Sequence, residues 1–229
     1  MLHNGEIWIG GEKTRKSLAD ELKILEKEIN RMGNLVADAV TNAVKSLVDR
    51  DIKLAEKVIK MDDEIDRLEL KAEHDCMVTI ALQQPMGNDL RMVGACLKIV
   101  TDLERIGDRA VDIAKIVKRI AKRPLVKPLI DIPRMAEISV GMIRGSMEAF
   151  SKRDSMLARE IGKRDDMVDS LCTQVGRELM YISITKPTLA SDAANLMFVS
   201  SFLERIADHA TNIAERVIYM VEGRLVKIN

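Results

Sequence analysis

Aromatic residues are scarce in this 229-residue chain: three Phe, two Tyr and one Trp, or 3% of the total. Sheets draw on aromatic and β-branched side chains, so a core made of Met, Ala, Leu, Ile and Val fits helices better. Breakers are also few, with 12 Gly and 5 Pro. Cysteine is limited to Cys76, Cys96 and Cys172, far apart and without a CxxC pair. That spacing argues against a disulfide framework, a redox pair or a thiolate zinc site, and all three are expected as buried free thiols. Charge of one sign is not in excess, since 36 basic residues balance 36 acidic ones and no basic block stands out. Nucleic acid is therefore not an expected partner. No apolar run approaches the ~18 residues that a membrane span needs. The opening MLHNGEIWIGGEKTRK lacks the charged and apolar regions of a secretory signal, so a cytoplasmic location is expected.

Histidine is limited to His3, His74 and His209. Di-iron helical bundles use Glu-x-x-His, but Lys71 and Ile206 stand three residues before His74 and His209. GGEKTRKS (Gly10 to Ser17) has the length of a P-loop, yet Arg15 occupies the place of its second glycine and no strand pattern precedes it.

What the chain has is helical periodicity. Leu22, Leu25, Ile29, Met32, Val36 and Val40 recur at threes and fours within a first helix expected from about Thr14 to Asp51. A second is expected from Ile52 to Gln83. A third follows the Pro85 turn, with Asn88 or Asp89 as its cap, and runs to about Lys122. The two prolines of RPLVKP (Arg123 to Pro128) break the pattern near the middle. Helical patterns resume over Ile132 to Lys152, Ser155 to Thr185 and Leu189 to Val221. Met32, Met61, Met135 and Met147 fall at core spacing.

The two halves repeat each other. DLERIGDRAVDIAKIV from Asp102 and FLERIADHATNIAERV from Phe202 share nine of sixteen positions. INRM (from Ile29) pairs with IPRM (from Ile132), DRD (from Asp49) with KRD (from Lys152), and MDDEID (from Met61) with RDDMVD (from Arg164). A period of about a hundred residues is too long for a solenoid unit and suits a duplicated three-helix bundle. The expected fold is all-α, two tandem three-helix bundles with six helices. Its parts are a tail (1–13), a first repeat (14–123), a linker (124–130), a second repeat (131–223) and a C-terminal tail (224–229).

The repeat carries acids four apart: Asp62/Asp66, Glu104/Asp108, Asp165/Asp169 and Glu204/Asp208. Such pairs stack on one helical face and repel each other. Leu103, Ile106, Ala110, Ile113 and Val117 form the apolar seam of the third helix, which puts Glu104 and Asp108 opposite it. The acids are thus expected outside the core, on an open ridge or groove between the second and third helices of each half. Three readings fit that face. The acids form ordinary ion pairs with Arg105, Arg109 and Lys115; or they hold a hard cation, for which clustered carboxylates without thiols suit Mg, Mn, Ca or iron; or the face docks an anion or partner through Arg105 and Arg205.

These motifs, LERIGD (103–108), LERIADHATNIAE (203–215), MDDEID and RDDMVD, resemble those of the PhoU family of phosphate-uptake regulators, over about Leu18 to Gly223. The resemblance implies multinuclear metal clusters, of iron or alternatively Zn, Mn, Mg or Ca. One would be held by Asp62, Asp66, Glu104 and Asp108, the other by Asp165, Asp169, Glu204 and Asp208. Asp63, Asp112, Asp166, His209 and Asn212 are additional candidates. It also implies a non-enzymatic adaptor, a homodimer, that damps the phosphate ABC transporter through its ATPase subunit and the associated sensor histidine kinase, and that meets the membrane only through those partners. The competing class is a carboxylate-bridged metal hydrolase or oxidase. Gly107 against Ala207, and Asp112 against Asn212, set the two halves apart.

Overall fold

The computed structural model describes residues 17–228. The tail expected over 1–13 and most of GGEKTRKS lie outside these residues. Six α-helices follow in order: α1 (Leu18–Asp49), α2 (Ile52–Gln83), α3 (Asn88–Ile120), α4 (Asp131–Lys152), α5 (Ser155–Thr185) and α6 (Ala190–Glu222). A short 3-10 turn, Pro187–Leu189, leads into α6. No described helix is long and apolar enough to cross a membrane.

The repeated DRD and KRD stretches stop one helix and start the next in each half. Arg50 and Arg153 end α1 and α4 in the left-handed conformation, at φ 54° and 52°. The next residue, Asp51 or Asp154, then caps the following helix. Asp51 Oδ1 accepts from the amides of Lys53 and Leu54 (2.8 and 3.1 Å), and Asp154 Oδ1 from those of Met156 and Leu157 (2.9 and 3.0 Å). The N-terminus of α3 departs from expectation. Its cap is Gly87 at φ 57° and ψ −118°, a conformation costly for any residue with a Cβ. Asn88 is already helical and accepts a hydrogen bond from Arg91 instead. The first helix also starts later than expected, after Ser17, whose hydroxyl accepts from the Asp20 amide.

The helices form two layers. α2, α3, α6 and α5 make one, with α3 against α6 at its centre. α1 packs on α2 and α3, α4 packs on α5 and α6, and α1 meets α4 behind them. α3 and α6 cross antiparallel: Asp102 faces His209, with Oδ1 2.9 Å from Nδ1, and Arg109 lies 5.6 Å from the ring centre of Phe202. Asp102 and Phe202 are equivalent in the duplication, as are Arg109 and His209, so the same two-fold contact is made once as an acid–imidazole pair and once as a cation–π pair. Buried serines staple α4 to α6. Ser139 donates to the Met135 and Leu203 carbonyls and Ser146 to those of Met142 and Ala210.

The seam Leu103, Ile106, Ala110, Ile113 and Val117 is fully buried. Met32, Met135 and Met147 are core residues and Met61 packs partly buried against them. Cys76 and Cys96 are buried free thiols, with Cys76 pushed up to about 12 and Cys96 higher still, in both cases chiefly by burial. Cys172 is not fully buried, against expectation, because its helix face opens towards the α5/α6 groove.

The stretch from 224 to 228 is not a free tail. Gly223 turns the chain at φ 71°, and Val226 and Ile228 then pack on the core.

Candidate functional site

Each half opens a groove between its second and third helices, and the repeated acids line it. In the first half Asp62 and Asp66 come from α2, Glu104 and Asp108 from α3. Asp62 is pushed up to about 6, first by partial burial and then by the charges of Asp66 and Asp108. Glu104 is raised by burial and by Asp108, Asp66 and Asp62. Arg105 gives only loose relief, with Nε 3.4 Å from Glu104 and Nη1 3.5 Å from Asp108. Arg109 pairs with Asp112 at 2.8 Å and lies 3.8 Å from Asp108, and Lys115 lies 3.8 Å from Asp112. Asp112 is thus engaged by two cations, and Asp63 sits exposed on the rim.

The groove holds an acid that the repeat did not point to. Glu69, two turns after Asp62 on the same face, is pushed up to about 7 by burial, then by Glu104, Glu73 and Asp66. Its spacing from Asp62 and Asp66 was readable. The missing signal was a counterpart, since Cys172 occupies the equivalent place in the second half.

In the second half Asp169 is raised by burial and by Asp208 and Asp166, and Glu204 by burial and by Asp208 and Asp169. Cys172 joins this groove: its thiol bonds to Ser200 and feels the charges of Glu204 and Asp169. Asp166 is exposed on the rim. Two expectations are corrected. Asp165 is not on an open ridge: it is only 2% exposed, on the face of α5 that also buries Ile161, Gly162 and Val168. His209 and Asn212 turn towards α3, where both meet Asp102, at 2.9 and 3.5 Å. Neither faces the acids of its own half as a free donor.

The donor chemistry of both grooves fits a hard cation. Carboxylate oxygens dominate, and the raised proton affinity of Asp62, Glu69, Glu104, Asp169 and Glu204 marks negative charge that nearby arginines leave under-compensated. As they stand, no three His, Cys, Asp or Glu side chains among the described residues converge closely enough to hold an ion. Hollows of about 540 Å³ between α1 and α4 and about 570 Å³ beside the linker lie elsewhere and include none of the eight acids.

Acids at matching places on a duplicated three-helix plan agree with the family comparison, in which the PhoU domain matches twice, over residues 29–117 and 132–217. The chain belongs to the PhoU family. A phosphate-specific transport system accessory protein PhoU homolog from Aquifex aeolicus is 42% identical over 210 residues, covering 92% of this chain and 95% of the relative. One of the same description from Clostridium acetobutylicum is 37% identical over 217 residues, 94% and 99% of the two chains. Among solved structures, PhoU from Pseudomonas aeruginosa superposes with a TM-score of 0.88 at 32% identity, covering 91% of this chain and all of that one. The phosphate transport system regulatory protein PhoU from Streptococcus pneumoniae gives 0.86 at 27% identity, with 92% and 100% covered. The two matched PhoU segments contain all eight repeated acids, four in each.

Proposed function

We propose that this chain is the accessory regulator of a phosphate-specific transport system. It acts in the cytoplasm as a metal-binding, homodimeric adaptor that negatively modulates the phosphate ABC transporter through its ATPase subunit and the associated sensor kinase. The observation that carries the metal part is the pair of matching carboxylate grooves, in which Asp62, Glu69 and Glu104 of the first and Asp169 and Glu204 of the second hold protons above their ordinary range through burial and the charges of their neighbours. The relatives' names support the transport part.

Asp62, Asp66, Glu104 and Asp108 would hold cations in the first groove, and Asp165, Asp169, Glu204 and Asp208 in the second. Bound cations supply the missing positive charge. The chain's own contribution is to keep four carboxylates across two antiparallel helices in each half. Their repulsion loosens α2 against α3 and α5 against α6, and neutralisation tightens both pairs, which would present a firmer helical face to a partner. The metal-enzyme alternative gains no specific observation, since neither of the two larger hollows contains the acids.

The test is elemental analysis of protein purified without chelator or metal-affinity column, beside an Asp108→Ala/Asp208→Ala variant. Several metal equivalents in the parent and few in the variant, at equal helicity, are expected. Full metal content in the variant would reject the assignment. Loss of transporter repression in cells carrying the variant tests the regulatory half of the proposal.

A further inference from the structure

The two grooves share a plan, but among the described residues a piece of chain lies across the second only. After Gly223 the backbone runs without helix through residues 224–228. Alternate side chains point inwards: Val226 and Ile228 pack on the core, while Leu225 is 71% exposed and Lys227 faces solvent. This is the in-and-out pattern of an extended segment lying on a surface.

Three residues of the second half receive it, and none has a counterpart able to do so in the first. Gly162 lets the Ile228 backbone come so near that a Cβ there would lie 2.2 Å from the Ile228 carbonyl oxygen. Glu215, only 6% exposed, accepts from the Ile228 amide at 3.2 Å and pairs with Lys227 at 3.3 Å. Gly223 supplies the left-handed turn that sends the chain back. The equivalents of Gly162 and Glu215 in the first half are Ile59 and Lys115. An isoleucine there closes the approach that glycine leaves open, and a lysine removes the acceptor for the amide and the partner for the ammonium.

The segment bridges α5 at Gly162 and α6 at Glu215, one helical turn from Asp165 and two turns from Asp169 and Asp208. Gly162 and Asp165 are three apart on the same face of α5. Asp165 is 2% exposed, while its equivalent Asp62 stays half-buried.

We propose that residues 224–228 are a strap that closes the second acidic groove over Asp165. The site on Asp62, Asp66, Glu104 and Asp108 carries no such strap among the described residues, and the site on Asp165, Asp169, Glu204 and Asp208 is reached when the strap lifts. The consequence for cation loading rests on the metal reading above; the strap itself does not.

Carbodiimide labelling of carboxyl groups, read residue by residue by mass spectrometry, tests the strap without any metal. Three proteins are compared: the full chain, Gly162→Ile, and a chain ended after Gly223. In the full chain Asp62 is expected to label at least about tenfold faster than Asp165. In both variants Asp165 rises to within about threefold of Asp62, whose own rate stays put and reports an intact fold. Glu215→Gln, which keeps shape and loses the lysine's partner, gives an intermediate rate. Equal labelling of Asp62 and Asp165 in the full chain, or an Asp165 rate unmoved by truncation, overturns the proposal. The cation consequence is read separately, in proteins whose first groove carries Asp62→Asn and Asp108→Asn. Loaded Mn2+ should then leave into excess chelator at least about tenfold more slowly from the full chain than from the truncated one. Absence of Mn2+ binding would sink the metal reading while the labelling still decides the strap.

Discussion

The first and second acidic grooves start from the same four carboxylates and end as different environments. At the position of Glu69 the second groove has Cys172, at Asp112 it has Asn212, at Lys115 it has Glu215, and at Ile59 it has Gly162. The first groove therefore has a fifth acid within its field and a basic rim in Arg109 and Lys115. The second exchanges that acid for a thiol, has Asn212 and Glu215 where the first has Asp112 and Lys115, and lies under residues 224–228. Duplication preserved the acids that repel one another and let their surroundings diverge. Two copies of one motif have thus come to differ in acidity, in rim charge and in access.

The largest effect should come from exchanging the fifth position. A carboxylate oxygen favours hard cations, and a thiolate favours zinc and other softer ions. With the opposite groove disabled by paired Asp→Asn changes, Cys172→Glu should raise the Mn2+ affinity of the second groove about tenfold, or about 1.4 kcal/mol. Glu69→Cys should lower Mn2+ affinity of the first groove by a similar factor and shift its preference towards Zn2+. Titration calorimetry with each ion measures both. Unchanged preferences would mean that residues 69 and 172 stand outside the coordination sphere, and that the grooves differ only in access.

That position also shows what the sequence could and could not disclose. The helices were legible because their signals are local. Asp51 and Asp154 cap, Pro85 and Pro187 break, and the aliphatic seams keep time. The eight acids were legible because each has a twin. Glu69 was not, since its twin is a cysteine and only proximity to Glu104 across the groove gives it meaning. The strap was equally hidden. Leu225, Val226 and Ile228 are too few to show a period, and their docking depends on Gly162 and Glu215, distant in sequence. His209 beside Asp208 looked like a ligand because adjacency says nothing about which side of a helix faces which neighbour.

A middle-sized effect concerns protons. Asp62 and Glu69 take up protons in the folded chain at about 6 and about 7, above their ordinary 3.8 and 4.5. The folded state then binds more protons than the unfolded one between about pH 4 and 7, so stability rises as pH falls through that window and is lost as pH rises through it. This is opposite to the usual carboxylate held by a cation. In chelator, the melting temperature of the parent should gain more between pH 7.5 and 5 than that of Glu69→Gln, and saturating Mn2+ should flatten the parent's dependence. The same comparison at Glu204→Gln should show a smaller change, because the second groove has no counterpart of Glu69. Equal slopes in parent and Glu69→Gln would return that acid to the solvated surface.

The smallest effect lies beneath the acids, where α2 meets α3. A Cβ at Gly107 would lie 3.1 and 3.2 Å from the Cδ1 and Cγ2 atoms of Ile65. The second half carries Ala207 at that place, and its facing residue is Val168, one methylene smaller than isoleucine. The two positions thus changed together, with volume moved from one helix to the other. Gly107→Ala gains up to about 1 kcal/mol in helix propensity, but alone it crowds Ile65, and overpacking costs about 1–3 kcal/mol. In the Ile65→Val background the crowding is relieved and the propensity gain remains. A double-mutant cycle by urea unfolding should therefore give a favourable coupling of about 1 kcal/mol between the two changes. The same cycle run in reverse, Ala207→Gly with Val168→Ile, should give the same sign. Coupling near zero in both would mean that Ile65 swings aside freely, so that the spacing of the two helices under the first groove does not depend on this glycine. A clear coupling would tie the Gly107 to Ala207 difference to packing and leave residues 69, 172, 162 and 215 as the positions that make the grooves functionally unequal.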